Sequence, residues 1–205
     1  MKFHQFISYI FHPVLVPMVS TLWFFIVAPV YIPRMYAYRM LLLIFILTYL
    51  VPLIMLFLLK KMRLITSYEL PSVEERKFPI LFAATIYFLI GNLLLKTNVL
   101  NLLAFSFFGY TIALALIYLF FQKHLKTSLH TVGIAGMISF IAILSYAFKI
   151  NLLIFIMLSF LLLGIVATAR LQLQVHTTKE IFLGIFVGAI SQVLAYMLYL
   201  YFYNM

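Results

Sequence analysis

Residues 169–180 read Ala-Arg-Leu-Gln-Leu-Gln-Val-His-Thr-Thr-Lys-Glu and separate two apolar runs, at 150–168 and 181–203. A helix needs ~20 mostly apolar residues to cross a bilayer, so each flanking run is a span and the segment between them is a turn at the membrane surface. Within that turn stand Arg170, His176 and Glu180, in the pattern Arg-x5-His-x3-Glu. His176 and Glu180 are four residues apart, which on a helix puts them on one face within hydrogen-bonding reach. A carboxylate there can fix the imidazole in one tautomer and leave the other ring nitrogen free to attack an electrophile. Arg170 can clamp an anion beside it.

The rest of the composition agrees with a membrane chain. It is 67% hydrophobic and 9% charged, with a mean hydropathy of +1.20, far outside the range of soluble domains. The 205 residues leave room for several spans, short loops and no separate soluble domain, so we read 1–205 as one integral membrane domain. The absence of cysteine excludes disulfides, thiolate ligands and a cysteine nucleophile. The net charge of +10 is spread over loops. It suits anionic lipid headgroups and offers no soluble basic face to nucleic acid. Lys2 precedes a long apolar run that carries His12, Pro13 and Pro17, with no cleavage signal, and reads as a retained first span.

Working outward from the 169–180 turn, apolar runs fall at 6–32, 40–59, 79–95, 99–121, 131–148, 150–168 and 181–203. The expectation is an all-α integral membrane protein of six or seven transmembrane helices. The fifth and sixth runs meet at Lys149-Ile150-Asn151, which suits a tight helical hairpin. The polar stretches 60–77, 122–130 and 169–180 are separated from one another by two spans each, and two crossings return a chain to its starting side. All three should therefore meet at one membrane face, with the N-terminus. That face would carry 10 of the 14 Lys and Arg: Lys2, Lys60, Lys61, Arg63, Arg76, Lys77, Lys123, Lys126, Arg170 and Lys179. The positive-inside rule makes it cytoplasmic, although setting aside Arg76, Lys126 and Arg170 as site residues leaves 7 against 4.

The second stretch, Lys126-Thr127-Ser128-Leu129-His130-Thr131-Val132-Gly133, opens the fifth run with a cation, hydroxyls and an imidazole. Amides at a helix N-terminus favour an anion, Ser128 and Lys126 can add donors, and His130 can act as a general acid. A plain capped helix start with a snorkelling lysine would have the same sequence. The first stretch, Tyr68-Glu69-Leu70-Pro71-Ser72-Val73-Glu74-Glu75-Arg76-Lys77-Phe78-Pro79, holds three of the four acids. Alone it reads as an interfacial loop; a role in the site requires Arg76 or Lys77 to face the same anion as Arg170. His12-Pro13 with Pro17 reads as a kink in the first helix. Gly184-x3-Gly188 reads as a close helix contact. His130, His176 and Glu180 are too few ligands for a metal site.

Together the three stretches resemble the type 2 phosphatidic acid phosphatase superfamily of lipid phosphatases and haloperoxidases. Its pattern is Lys-x6-Arg-Pro, Pro-Ser-Gly-His and Ser-Arg-x5-His-x3-Asp. Ala169-Arg170-x5-His176-x3-Glu180 keeps the full spacing of the third motif, and Ser128-Leu129-His130 keeps Ser and His of the second. The first motif is poorly matched: with Arg76 aligned, Glu69 falls where lysine is expected and Pro79 lies three residues on. Ala169, Leu129 and Glu180 replace Ser, Gly and Asp. The pattern is similar to a divergent branch of Bacteroidetes-type bacteria.

The resemblance implies a helical-bundle phosphatase in the bacterial inner membrane, with a site that usually faces the periplasm, opposite to the charge count. It implies His176 as a nucleophile forming phosphohistidine, Glu180 as its orienting carboxylate and His130 as the acid for the leaving group. Arg170, Ser128 and Arg76 would bind phosphate, Lys126 or Lys77 would stand in for the missing lysine of the first motif, and no metal or cofactor is required. The implied substrates are phosphatidate, phosphatidylglycerophosphate, undecaprenyl pyrophosphate or lipid A phosphates, with homo-oligomers left open. The competing expectation is a catalytically impaired relative that binds or moves an anionic lipid.

Overall fold

The computed structural model describes residues 2–68, 70, 72–123 and 125–203. Among these residues every regular element is a helix, and seven helical segments are long and apolar enough to cross a membrane. The chain is an all-α membrane bundle with seven spans.

The first span is broken where its sequence breaks it. Helix α1 (Lys2–Ile10) ends before His12, a 3-10 turn covers Pro13–Leu15, and α2 (Val16–Val27) completes the crossing. Proline disfavours helical geometry in the residue before it, and His12 is accordingly extended at φ −63°, ψ 134°. Helix α1 turns Phe3, Phe6 and Tyr9 outward and Ser8 inward.

The second span begins at Arg34, earlier than the apolar run suggested, because the arginines at 34 and 39 are tolerated near a helix end. It comprises α3 (Arg34–Phe45), a π-helical turn (Ile46–Leu50) and α4 (Val51–Lys61). Pro52 has no N–H to give to the preceding turn, and the widened turn directly before it accommodates that loss.

Helix α5 (Val73–Leu94) starts inside the first charged stretch, which is therefore a helix start and not a loop through to residue 79. Ser72 caps it by accepting the Glu75 N–H at 3.2 Å, and Glu74 and Glu75 lie in the first turn, where the helix dipole favours negative charge. The position of Glu69, where the family pattern has lysine, lies outside the described residues. After a 3-10 turn at Asn98–Leu100 come α6 (Asn101–Gln122) and α7 (Leu129–Phe148). The hairpin into α8 (Leu153–Gln172) is tight, as its sequence suggested. Lys149 takes the left-handed conformation (φ 54°), Ser145 Oγ donates to the Ile150 carbonyl at 2.6 Å, and Asn151 accepts the Leu153 N–H at 3.0 Å. Helix α9 (Thr178–Tyr203) closes the bundle.

Helices α6 and α7 are the middle of the bundle, with 56% and 61% of their apolar windows buried, against 22% for α3–α4 and for α8. In lipid the apolar effect does not hold helices together, so close packing must. Helix α9 lies against α7 at Gly184 and Gly188. A Cβ on Gly188 would overlap the Val132 carbonyl and crowd the Gly136 amide nitrogen, and one on Gly184 would collide with Thr131 and approach the Ser128 carbonyl. The two helices touch backbone to backbone, directly beneath the charged face.

Candidate functional site

Three polar stretches and the first span converge at one end of the bundle. At the start of α9, His176 Nδ1 lies 2.7 Å from Glu180 Oε2. A carboxylate accepts only, so Nδ1 carries the proton and Nε2 presents its lone pair. Among the described residues no hydrogen bond occupies Nε2.

Glu180 is held from a second side. Its Oε2 also accepts the Thr177 N–H at 3.3 Å, and the Glu180 N–H points back to Thr177 Oγ1 at 3.4 Å. This is a capping box, the reciprocal closure of a helix start by Ser/Thr-x-x-Glu. The carboxylate that orients His176 is thereby fixed by the helix that carries it.

The second stretch joins this pair through the backbone. The Ser128 N–H donates to the Glu180 carbonyl at 3.3 Å, which ties the start of α7 to the start of α9. Ser128 Oγ and Thr127 Oγ1 are buried with no hydrogen-bond partner among the described residues. Buried hydroxyls are normally bonded, so these two, at the start of α7, are donors without an acceptor among the described residues.

His130 turns toward the first span. Its Nε2 is 3.1 Å from the Ser8 carbonyl and 3.3 Å from Ser8 Oγ. A carbonyl only accepts, so His130 carries its proton on Nε2 and gives it to Ser8. Arg170, at the end of α8, donates from Nη1 to Ser8 Oγ at 2.5 Å. Ser8 thus stands between the arginine and the histidine, 162 and 122 residues away in sequence.

Arg76 donates from Nε to the Leu70 carbonyl at 2.7 Å and lies close enough to Glu180 and His176 for their charges to act on one another. Its neighbour Lys77 pairs instead with Glu74 at 3.7 Å. Of the two loop cations, Arg76 is the one that joins the cluster. Lys126 is exposed, and among the described residues no ion pair or hydrogen bond connects it to the other site residues. His12, read from sequence as a kink residue, does cap the 3-10 turn by accepting the Val14 N–H at 3.4 Å. It is also a neighbour of the site: its ring centroid is 5.7 Å from that of His130.

Burial holds the His176 imidazole below its ordinary value of 6.5, helped by the charges of Arg170 and Arg76 and opposed by the bond to Glu180 and its charge. The ring is therefore neutral, and able to act as a nucleophile, at neutral pH and somewhat below. Any activity that needs neutral His176 should fall on acidification only beneath pH 6.5, as protons reach the ring. Glu180→Gln removes influences that raise the value and should move this acid limb to lower pH. Arg170→Ala should move it up. Turnover measured across pH 4–8 for the three proteins checks both directions.

The fold and this cluster define the class: a seven-span helical membrane protein with a histidine–carboxylate pair, two arginines and a second histidine at one membrane face. Beyond the class, comparison adds no relative. The chain matches no protein-family model, and no curated protein or solved structure is significantly similar to it.

Proposed function

We propose that the chain is an integral membrane phosphatase that hydrolyses a lipid phosphate or pyrophosphate through a phosphohistidine intermediate. The observation that carries the reading is the His176–Glu180 pair at 2.7 Å, with Nε2 unengaged among the described residues and Arg170, Arg76 and His130 near enough for their charges to act on His176 or feel it. Nε2 attacks phosphorus as the bond from phosphorus to the lipid oxygen breaks. His130, made imidazolium by the charge of the bound phosphate, gives its Nε2 proton to that oxygen and becomes neutral, so the lipid leaves as an alcohol, or as a phosphate where the substrate is a pyrophosphate. Water then attacks the phosphohistidine and gives its proton to neutral His130, releasing inorganic phosphate and restoring both histidines. Arg170, Arg76 and the two orphan hydroxyls offset the negative charge that builds on the phosphoryl oxygens, an effect worth most in a site shielded from water.

The substrate class follows from the setting. A site at the end of a membrane bundle meets phosphate on a molecule whose tail stays in the bilayer. Phosphatidate, phosphatidylglycerophosphate, undecaprenyl pyrophosphate and lipid A phosphates all meet that description, and we place the protein in a bacterial inner membrane. The test is phosphate release from this panel by protein purified in detergent, with acid-labile phosphohistidine trapped on a histidine peptide. Vanadate-sensitive release with a trapped intermediate is the expected result.

One observation favours a second reading. The His130 N–H that should protonate the leaving group is spent on the Ser8 carbonyl. A protein locked in that state would bind an anionic lipid without cleaving it. Binding of panel lipids with neither release nor trapped intermediate would select this reading.

A further inference from the structure

We propose that His12 is a phosphate-contacting residue, a donor that the first span adds to the anion site formed by Arg170 and His130. The inference rests on the reading of that site as a phosphate site, and it concerns a residue whose sequence suggests only a kink.

Ser8 stands where the arginine and the histidine meet. Its hydroxyl oxygen accepts from Arg170 Nη1 at 2.5 Å and lies 3.3 Å from His130 Nε2. One oxygen shared by a guanidinium and an imidazole is the environment of a bound phosphate oxygen, here supplied from within the chain. It marks where an anion's oxygen is stabilised. His12 follows Ser8 by four residues, and the Phe11 N–H still bonds to the Ile7 carbonyl at 3.0 Å. The chain thus keeps helical pitch almost to His12 and brings it round to the side of Ser8.

The ring of His12 meets that of His130 edge to face, with 76° between their planes. It is also near enough to Arg170 for the guanidinium charge to act on it.

The tautomer is set by the backbone. Nδ1 accepts the Val14 N–H, so a neutral ring carries its proton on Nε2. Among the described residues no other group bonds to this ring. Unlike the fully buried hydroxyls nearby, His12 is only half-buried, so a ligand can reach it. The bond that caps the turn thus also fixes the tautomer of a ring that packs against His130.

Capping and phosphate contact can be separated. Serine and threonine both cap such a turn, so His12→Ser and His12→Thr keep the Val14 bond and remove the ring N–H. The probe is inorganic phosphate, read as the rise in unfolding temperature it gives the full chain in detergent. Wild type should be stabilised. Both variants should unfold at the wild-type temperature without phosphate and bind phosphate about 10- to 100-fold more weakly, as expected for one lost hydrogen bond to a charged group. In turnover of a lipid phosphate the loss should fall mainly on KM. A second measurement needs no variant. Phosphate should protect His12, His130 and His176 of the wild type from carbethoxylation and leave His4 unprotected.

Wild-type phosphate affinity in His12→Ser and His12→Thr, or an unprotected His12, overturns the proposal and leaves the phosphatase reading standing. A wild type that neither binds phosphate nor is protected by it overturns both. Turnover that survives His176→Ala while His12→Ser loses phosphate would sink the phosphohistidine mechanism alone.

Discussion

His176→Ala is expected to lose phosphate release from lipid substrates by about 10⁴-fold or more, because it removes the atom that forms the bond to phosphorus. Affinity for phosphate should change far less, since Arg170, Arg76 and His130 remain. Glu180→Gln is the sharper variant. Glutamine still serves in a capping box, so the start of α9 should survive. What goes is the negative charge that fixes the proton on Nδ1 and stabilises a ring bearing a phosphoryl group. Loss of the orienting carboxylate behind a catalytic histidine can cost up to about 10⁴-fold. Release should therefore fall by about 10²-fold or more, with the unfolding temperature within a few degrees of wild type. Wild-type turnover in His176→Ala would refute the mechanism. If Glu180→Gln unfolds the protein, the carboxylate is chiefly structural.

Gly188→Val is expected to be the most disruptive single change away from the chemistry. A side chain there meets the Val132 carbonyl and the Gly136 amide, which are backbone and cannot rotate away. Overpacking usually costs about 1–3 kcal/mol, and a clash against two fixed backbone groups belongs at or above the top of that range. The effect should also reach the site. Helix α7 carries Ser128 and His130 and α9 follows His176, so pushing the helices apart stretches the bond from the Ser128 N–H to the Glu180 carbonyl. Gly164→Ala is the control, because a Cβ at Gly164 meets nothing within 4 Å. It should be neutral or slightly stabilising, since alanine is the better helix former. Unfolding in detergent followed by circular dichroism, with turnover measured in parallel, distinguishes the two.

Much of this architecture could be read from residues. Lipid demands ~20 apolar residues per crossing, so the spans stand out, and the even number of crossings places the three charged stretches together. His176 and Glu180 meet because a helix brings i and i+4 together, and Gly184-x3-Gly188 is a close contact because only glycine leaves room for one. What escaped the sequence depends on contacts across the fold. Nothing local to Ser8 says that it will sit between Arg170 and His130, more than 100 residues away. His12 looks like a kink because its neighbour is proline, and that explanation is true as far as it goes. Arg76 and Lys77 are adjacent, and only the start of α5 at Val73 decides which of them turns toward Glu180. The capping box Thr177-x2-Glu180 was in plain view, and its three-residue spacing is the signal that could have given Glu180 its second role. Lys126 is exposed, because a long cationic side chain keeps its charge in water more readily than in a crowded site.

The double duty of Glu180 also bears on how the protein is made. The same carboxylate closes the first turn of α9 and orients His176, so the proposed nucleophile is not set until that helix has begun. Ser128, in turn, reaches its backbone partner only when α9 lies against α7. Translation and membrane insertion run from the N-terminus, and α9 follows the other six spans. A nascent chain holding those six already has Arg170 and His130 at the membrane face but no carboxylate-oriented His176. Lipid cleavage of the proposed kind would have to wait until α9 has inserted against α7.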